Sequence, residues 1–98
     1  MKILVMPKPR EGVTRETLTP HVAAEIQAVW ELYARGIVRE FYTRADEPGR
    51  VVLMIEAASV GEAQNALAAL PFQRAHLVDF ELIPLEPFTG LSRLFAAA

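Results

Sequence analysis

Two acids interrupt an otherwise apolar run. In Leu77-Val78-Asp79-Phe80-Glu81-Leu82-Ile83-Pro84-Leu85, Asp79 and Glu81 stand two residues apart. On a β-strand alternate side chains share a face, so both carboxylates point one way and Val78, Phe80 and Leu82 point the other. Carboxylates enter buried strands only when something pairs with them. They form an acid–base pair if that face lines a pocket. If it meets a wet edge or another subunit, they are partners for Arg39 or Arg44. A second set lies upstream. Glu25 falls between Val22 and Val29 at helical spacing, and His21 is one turn before it on the same side. Leaning into a pocket, Glu25 would act as a base and a neutral His21 as a proton shuttle. Pointing outward, they are ordinary surface groups.

Other polar and aromatic residues have two readings each. Tyr42 can donate a hydrogen bond to a carbonyl oxygen, or be a core aromatic with its hydroxyl at the rim. Arg39 shares a strand face with Ile37, Phe41 and Thr43, while Glu40 shares the other with Val38, Tyr42 and Arg44. His76, just before the last strand, suits a pocket mouth or a subunit contact. Trp30 belongs to the apolar stripe of the first helix, in the core or as the wall of a ligand cavity.

These residues have to be positioned by a small scaffold. The 98 residues make one domain, with a tail over 89–98. A hydrophobic share of 52% is slightly rich for that size, which points to apolar surface buried against another subunit. The net charge is −2 and the basic residues are scattered, so no footprint for binding phosphate backbones is visible. Cysteine is absent, histidines number two, and no His-x-x-x-His pair occurs, which leaves no recognisable metal site. Lys2–Met6 is too short for a signal peptide, and no apolar run approaches the ~18 residues of a membrane span. A cytoplasmic protein without nucleic-acid or membrane partners is expected.

Lys2–Met6 reads as a strand stopped by Pro7 and Pro9. A polar loop over 8–18 follows. Thr19-Pro20 supplies an N-cap and a first helical residue for a helix whose stripe is Val22, Ile26, Val29, Trp30 and Tyr33, closed by Gly36. Ile37–Arg44 and Val51–Ala57 flank a turn containing Asp46, Pro48 and Gly49, the pattern of a hairpin. Ser59-Val60-Gly61-Glu62 is a capping box for a second helix, which Pro71 stops. Leu77–Leu85 is the last strand. Leu91, Leu94 and Phe95 share one side of a helical tail. The order β-α-β-β-α-β predicts a ferredoxin-like α+β fold, an antiparallel four-stranded sheet with two helices on one face. Ile3 and Val5 oppose Leu4 and Met6, and Leu53 and Ile55 oppose Val52 and Met54, so both faces are apolar. Two helices cover only one. A second copy packed on the other would make a dimeric α+β barrel.

Gly36-Ile37-Val38-Arg39-Glu40-Phe41-Tyr42, the strand Val51–Glu56, Ser59-Val60 leading to Leu70-Pro71, and Asp79-Phe80-Glu81 together resemble muconolactone isomerase and its relatives. Glu25, eleven residues before Gly36, matches a glutamate position of that family. The resemblance runs from Glu25 onward and implies a dimeric α+β barrel, extending to larger rings, that moves a double bond in a small carboxylated lactone by acid–base chemistry without a cofactor. Glu25, His21 and Tyr42 would be catalytic, and Arg39, Trp30 and His76 would bind substrate, with the Arg39 fork holding an anion. The chain departs from the family in the turn over 43–50, in two extra residues between Pro71 and Asp79, and in Val38 and Tyr42 at aromatic positions. Two rivals remain open: a cofactor-free monooxygenase or haem-binding barrel on the same architecture, and a non-enzymatic ligand-binding or structural oligomer.

Overall fold

Four antiparallel strands in the order β2-β3-β1-β4 build the sheet. They are β1 (Lys2–Pro9), β2 (Val38–Thr43), β3 (Val51–Glu56) and β4 (Val78–Leu85). The structure, a computed structural model, describes residues 1–95. Helices α1 (Arg15–Leu18), α2 (Val22–Ala34), α3 (Val60–Ala68) and α4 (Pro71–Arg74) connect the strands, and a 3₁₀ segment, Thr89–Leu94, follows β4. This is the ferredoxin-like α+β fold that the element order predicts.

Register fixes the two faces. Ile3 lies opposite Ile55 and Pro84, and Val5 opposite Leu53 and Leu82. Those side chains face the helices, where Ile3, Val5, Val38, Leu53 and Ile55 pack with Leu32, Ala63, Leu67 and Leu70 in a buried core. On the bare face one row runs Glu40, Met54, Leu4, Ile83, and the next brings Tyr42 beside Val52 and Met6 beside Glu81.

The first strand is longer than expected. Pro7 and Pro9 do not stop it but pair in register with Phe80 and Val78. Pairing between β1 and β3 ends at Val5, so neither proline needs an N–H on that side. The expected loop over 8–18 contains α1, capped by the Thr14 hydroxyl, and a 3₁₀ turn over Thr19–His21 carries the chain into α2. Thr19 does not cap the long helix; its hydroxyl donates back to the Arg15 carbonyl at 2.8 Å. The α3 start behaves as its sequence predicts, with the Glu62 N–H donating to Ser59 Oγ at 3.1 Å. The return bond differs by one residue, because Glu62 Oε2 accepts from the Ala58 N–H rather than from Ser59. Pro71 ends α3 but also opens the one-turn helix α4.

Two differences alter which residues meet. A β-bulge between Val38 and Glu40 takes up Arg39, so Val38 pairs with Ile55 and Phe41 with Leu53 on the helix side. Strict alternation would have put Val38 with Tyr42; the extra residue moves it into the core. Second, α2 buries Leu32 and half-buries His21, Glu25, Ala28 and Val29, while Val22, Ile26, Trp30 and Tyr33 are exposed. The helix is turned about one residue position from the setting its larger side chains suggested. Trp30 is thus an exposed aromatic, not a core residue.

Gly36 closes α2 at φ 79°, and its N–H donates to the Tyr33 carbonyl. A Cβ there meets nothing within 4 Å, so any cost of replacement is purely conformational. Gly36→Ala is expected to lose about 1 kcal/mol of unfolding free energy in urea titrations, with m unchanged.

Candidate active site

Glu25 reaches across the helical layer. Its Oε1 accepts the Phe72 N–H at 2.9 Å. Leu70, the N-cap of α4, supplies no side-chain bond, and Pro71 has no N–H to satisfy. The carboxylate of a residue 47 positions earlier therefore caps α4 and ties it to α2. Burial pushes the Glu25 carboxyl above its ordinary range, and the Phe72 bond partly offsets this. A carboxylate raised in this way is a better base than a free one and keeps its proton to higher pH. His21, the α2 N-cap residue, is half-buried one turn earlier on the same face. Their four-residue spacing and shared half-burial put the two on one flank of α2.

An aromatic wall runs along the outer side of α2. Trp30 stacks on Tyr33 with ring centres 5.4 Å apart and planes at 30°. Tyr33 meets Phe41 of β2 edge-on, at 5.5 Å and 83°. Neither Tyr33 nor Phe41 was among the residues singled out above. The i, i+3 spacing of Trp30 and Tyr33 was a visible signal, but placement beside Phe41 depends on how α2 sits on the sheet.

The remaining expected site residues lie apart. Arg39 Nε donates to the Gly36 carbonyl at 2.6 Å, at the far end of α2. Eleven residues separate Gly36 from Glu25, about 16 Å of helix. Tyr42 is on the bare sheet face, where its hydroxyl donates to Glu40 Oε1 at 3.2 Å; that bond and the Glu40 charge push the phenol up. His76 is exposed at φ 57°, the left-handed residue that closes α4. Within one chain, then, Arg39 and Tyr42 do not converge on Glu25, while His76 closes the same one-turn helix that Glu25 caps. Asp79 and Glu81 share one face as the alternation predicts, the strand register makes it the bare face, and within the chain Asp79 pairs with Arg10 at 3.5 Å. Arg44 is held in the hairpin turn by Asp46 through two bonds of 3.0 and 2.7 Å.

Two shallow grooves of about 400 and 470 Å³ lie elsewhere. One, between α3 and β4, is lined by Gln64, Asn65, Gln73, Asp79 and Phe80. The other, at the end of α2, is lined by Arg35, Ile37, Glu56, Glu62 and Ala66. Among the described residues no three metal-binding side chains come together, and no helix is long and apolar enough to cross a membrane.

This architecture defines an α+β protein of the ferredoxin-like class. No protein-family model and no curated protein matches the chain. Among solved structures it is similar to 5-chloro-2-hydroxyhydroquinone dehydrochlorinase (TftG) from Burkholderia phenoliruptrix in complex with 2,5-dihydroxybenzoquinone. The two share 20% identity over 88% of this chain and 94% of that one, with a TM-score of 0.68. At that identity the likeness establishes the fold.

Glu25 is expected to make stability depend on pH with a definite sign. A carboxyl whose pKa is raised on folding binds more protons in the native state. Its contribution is fully present below the unfolded carboxylate pKa and is lost as pH rises through the folded value. Glu25→Gln keeps an acceptor for Phe72 without a charge to desolvate, so urea unfolding should show this fall flattened and stability at pH 7 equal or higher. Glu25→Ala leaves the Phe72 N–H without its cap and should cost about 1 kcal/mol at pH 7.

Proposed function

We propose that the chain is a muconolactone isomerase-like enzyme that moves a proton on a small carbonyl-bearing ring. The observation that carries this reading is the His21–Glu25 flank, where a half-buried carboxyl of raised pKa stands one helical turn from an imidazole. Glu25 takes a proton from the carbon beside a carbonyl, and His21 relays it to another carbon. The quinone-type ring in the structure of the fold neighbour supports a ligand of that size and shape. No cofactor enters this chemistry.

The protein acts as a homodimer in this reading. Leu4, Met6, Val52, Met54 and Ile83 form an apolar centre on the sheet face that no helix covers. A second copy placed there completes an α+β barrel and encloses Tyr42, the remaining proposed donor. Arg39 and His76 keep a substrate-binding role only toward the rim of such an assembly.

A non-enzymatic ligand-binding or structural oligomer is the second reading. It is favoured by the two grooves, neither of which includes Glu25, His21, Arg39 or Tyr42.

Absorbance assays with unsaturated lactones and hydroxyquinones decide between them. Turnover is expected, and Glu25→Gln should lower kcat by about 10²-fold or more with the fold intact by circular dichroism. Equal turnover in wild type and Glu25→Gln sinks the catalytic assignment. A panel that binds without turning over supports the second reading.

A further inference from the structure

Besides the bare sheet face, two apolar surfaces among the described residues lack a cover. The first is the outer stripe of α2 with its β2 neighbour: Val22, Ile26, Trp30, Tyr33 and Phe41 are between 39 and 64% exposed. The second is the arm after β4, where Phe88, Leu91, Leu94 and Phe95 are between 55 and 84% exposed. Scattered apolar residues on a surface are ordinary, but two contiguous groups of this size are not. The arm also has a defined shape. A Cβ on Gly90 would sit 2.5 Å from the Phe88 ring, so the ring folds closely over the backbone at the start of the 3₁₀ segment.

The arm is poorly placed to cover its own chain's stripe. It leaves β4, one edge of the sheet, while the stripe flanks β2, the other edge. Three strand spacings, about 14 Å, separate those edges, and α3 lies between. The radius of gyration is 16.1 Å, against about 13 Å for a compact chain of this length. The long axis is 60 Å, well beyond the ~27 Å of an eight-residue strand.

A second copy removes the difficulty. If the bare faces pack about a two-fold axis along the strands, β4 lies over the partner's β2, and β1 over the partner's β3. Glu81 then faces the partner's Tyr42, Leu4 the partner's Met54, and Lys2 the partner's Glu56. An axis across the strands through Val5 would instead set Lys2 against the partner's Lys8, while Ile83 meets a glutamate in both arrangements. Charge therefore favours the first arrangement. In it, the arm leaves β4 beside the start of the partner's β2 and rounds that edge strand onto the partner's α2. The ten residues over 86–95 reach at most about 33 Å, which suffices.

We propose that the C-terminal arm of each protomer docks on the Trp30–Tyr33–Phe41 stripe of a second copy, clasping the dimer and closing the aromatic wall from outside. Each clasp covers at most about 1,000 Å² of apolar surface, so two symmetric clasps are comparable with a standard interface. The proposal rests on the sheet-face dimer described above.

Trp30 is the only tryptophan, so its emission reports the cover directly. Full-length protein and a chain ending at Pro87 are compared by fluorescence and sedimentation over a dilution series. The expected result is a red shift of emission on removal of 88–98. In the full-length protein the same shift should appear on dilution, with the midpoint of dimer dissociation. Because the chain has no cysteine, Leu91→Cys combined with Ile26→Cys gives a second test. Oxidation should yield a covalent species of twice the chain mass, absent from either single variant. A dimer whose emission ignores the deletion overturns the clasp and leaves the sheet-face dimer standing. A cross-link found only at monomer mass also overturns the clasp, since the arm then folds on its own chain. A full-length protein that stays monomeric at every concentration overturns both.

Discussion

Ile3, Ile55 and Val38 are completely buried in one row across three strands, with Val5 and Leu53 in the next row. Everything else in the molecule depends on that packing. Each such side chain contributes about 1.5–3 kcal/mol on burial. The row forms only because the bulge at Arg39 turns Val38 toward the helices. It also sets a constraint. In β1 and β3, Leu4, Met6, Val52 and Met54 necessarily point the opposite way, so a well-packed helix side creates an apolar bare side. The apolar bare face follows from the same register that makes the core.

The helical layer is held to this sheet unevenly. Leu32, Ala63, Leu67 and Leu70 pack directly on the core. The α2–α4 junction instead contains a carboxylate that accepts a backbone N–H. A group with a raised pKa at a structural junction serves two ends. It satisfies an orphan donor of a one-turn helix, and it holds a basic oxygen at a partly dry position. Capping and proton acceptance by Glu25 are thus compatible. Its proton affinity comes from the burial that its capping role requires.

The setting of α2 links the core to the outer surface. Turning the helix so that Ala28, Val29 and Leu32 face the sheet leaves the larger Ile26, Trp30 and Tyr33 outside. A helix with apolar residues on two sides suits a chain whose partners come from two directions, the sheet beneath and another surface above. The T-shaped Tyr33–Phe41 contact joins that outer surface to the edge strand.

Much of this was legible in the residues. The element order, the Ser59–Glu62 cap, the hairpin turn, the closing Gly36 and the shared face of Asp79 and Glu81 are local matters. Periods of two, capping oxygens and glycine at positive φ act within a few residues, and sequence carries them directly. The candidate site was legible in part: the one-turn spacing of His21 and Glu25 was visible, but nothing local ties Glu25 to Phe72, or Asp79 to Arg10. Only the tertiary structure decided the bulge at Arg39, the rotation of α2, the continuation of β1 through two prolines, and the separation of Arg39 and Tyr42 from Glu25. Each depends on which residues meet across long stretches of chain. Two apolar stripes on one helix, or two pairing registers of one strand, have similar local energies, and the packing of the whole chain selects between them.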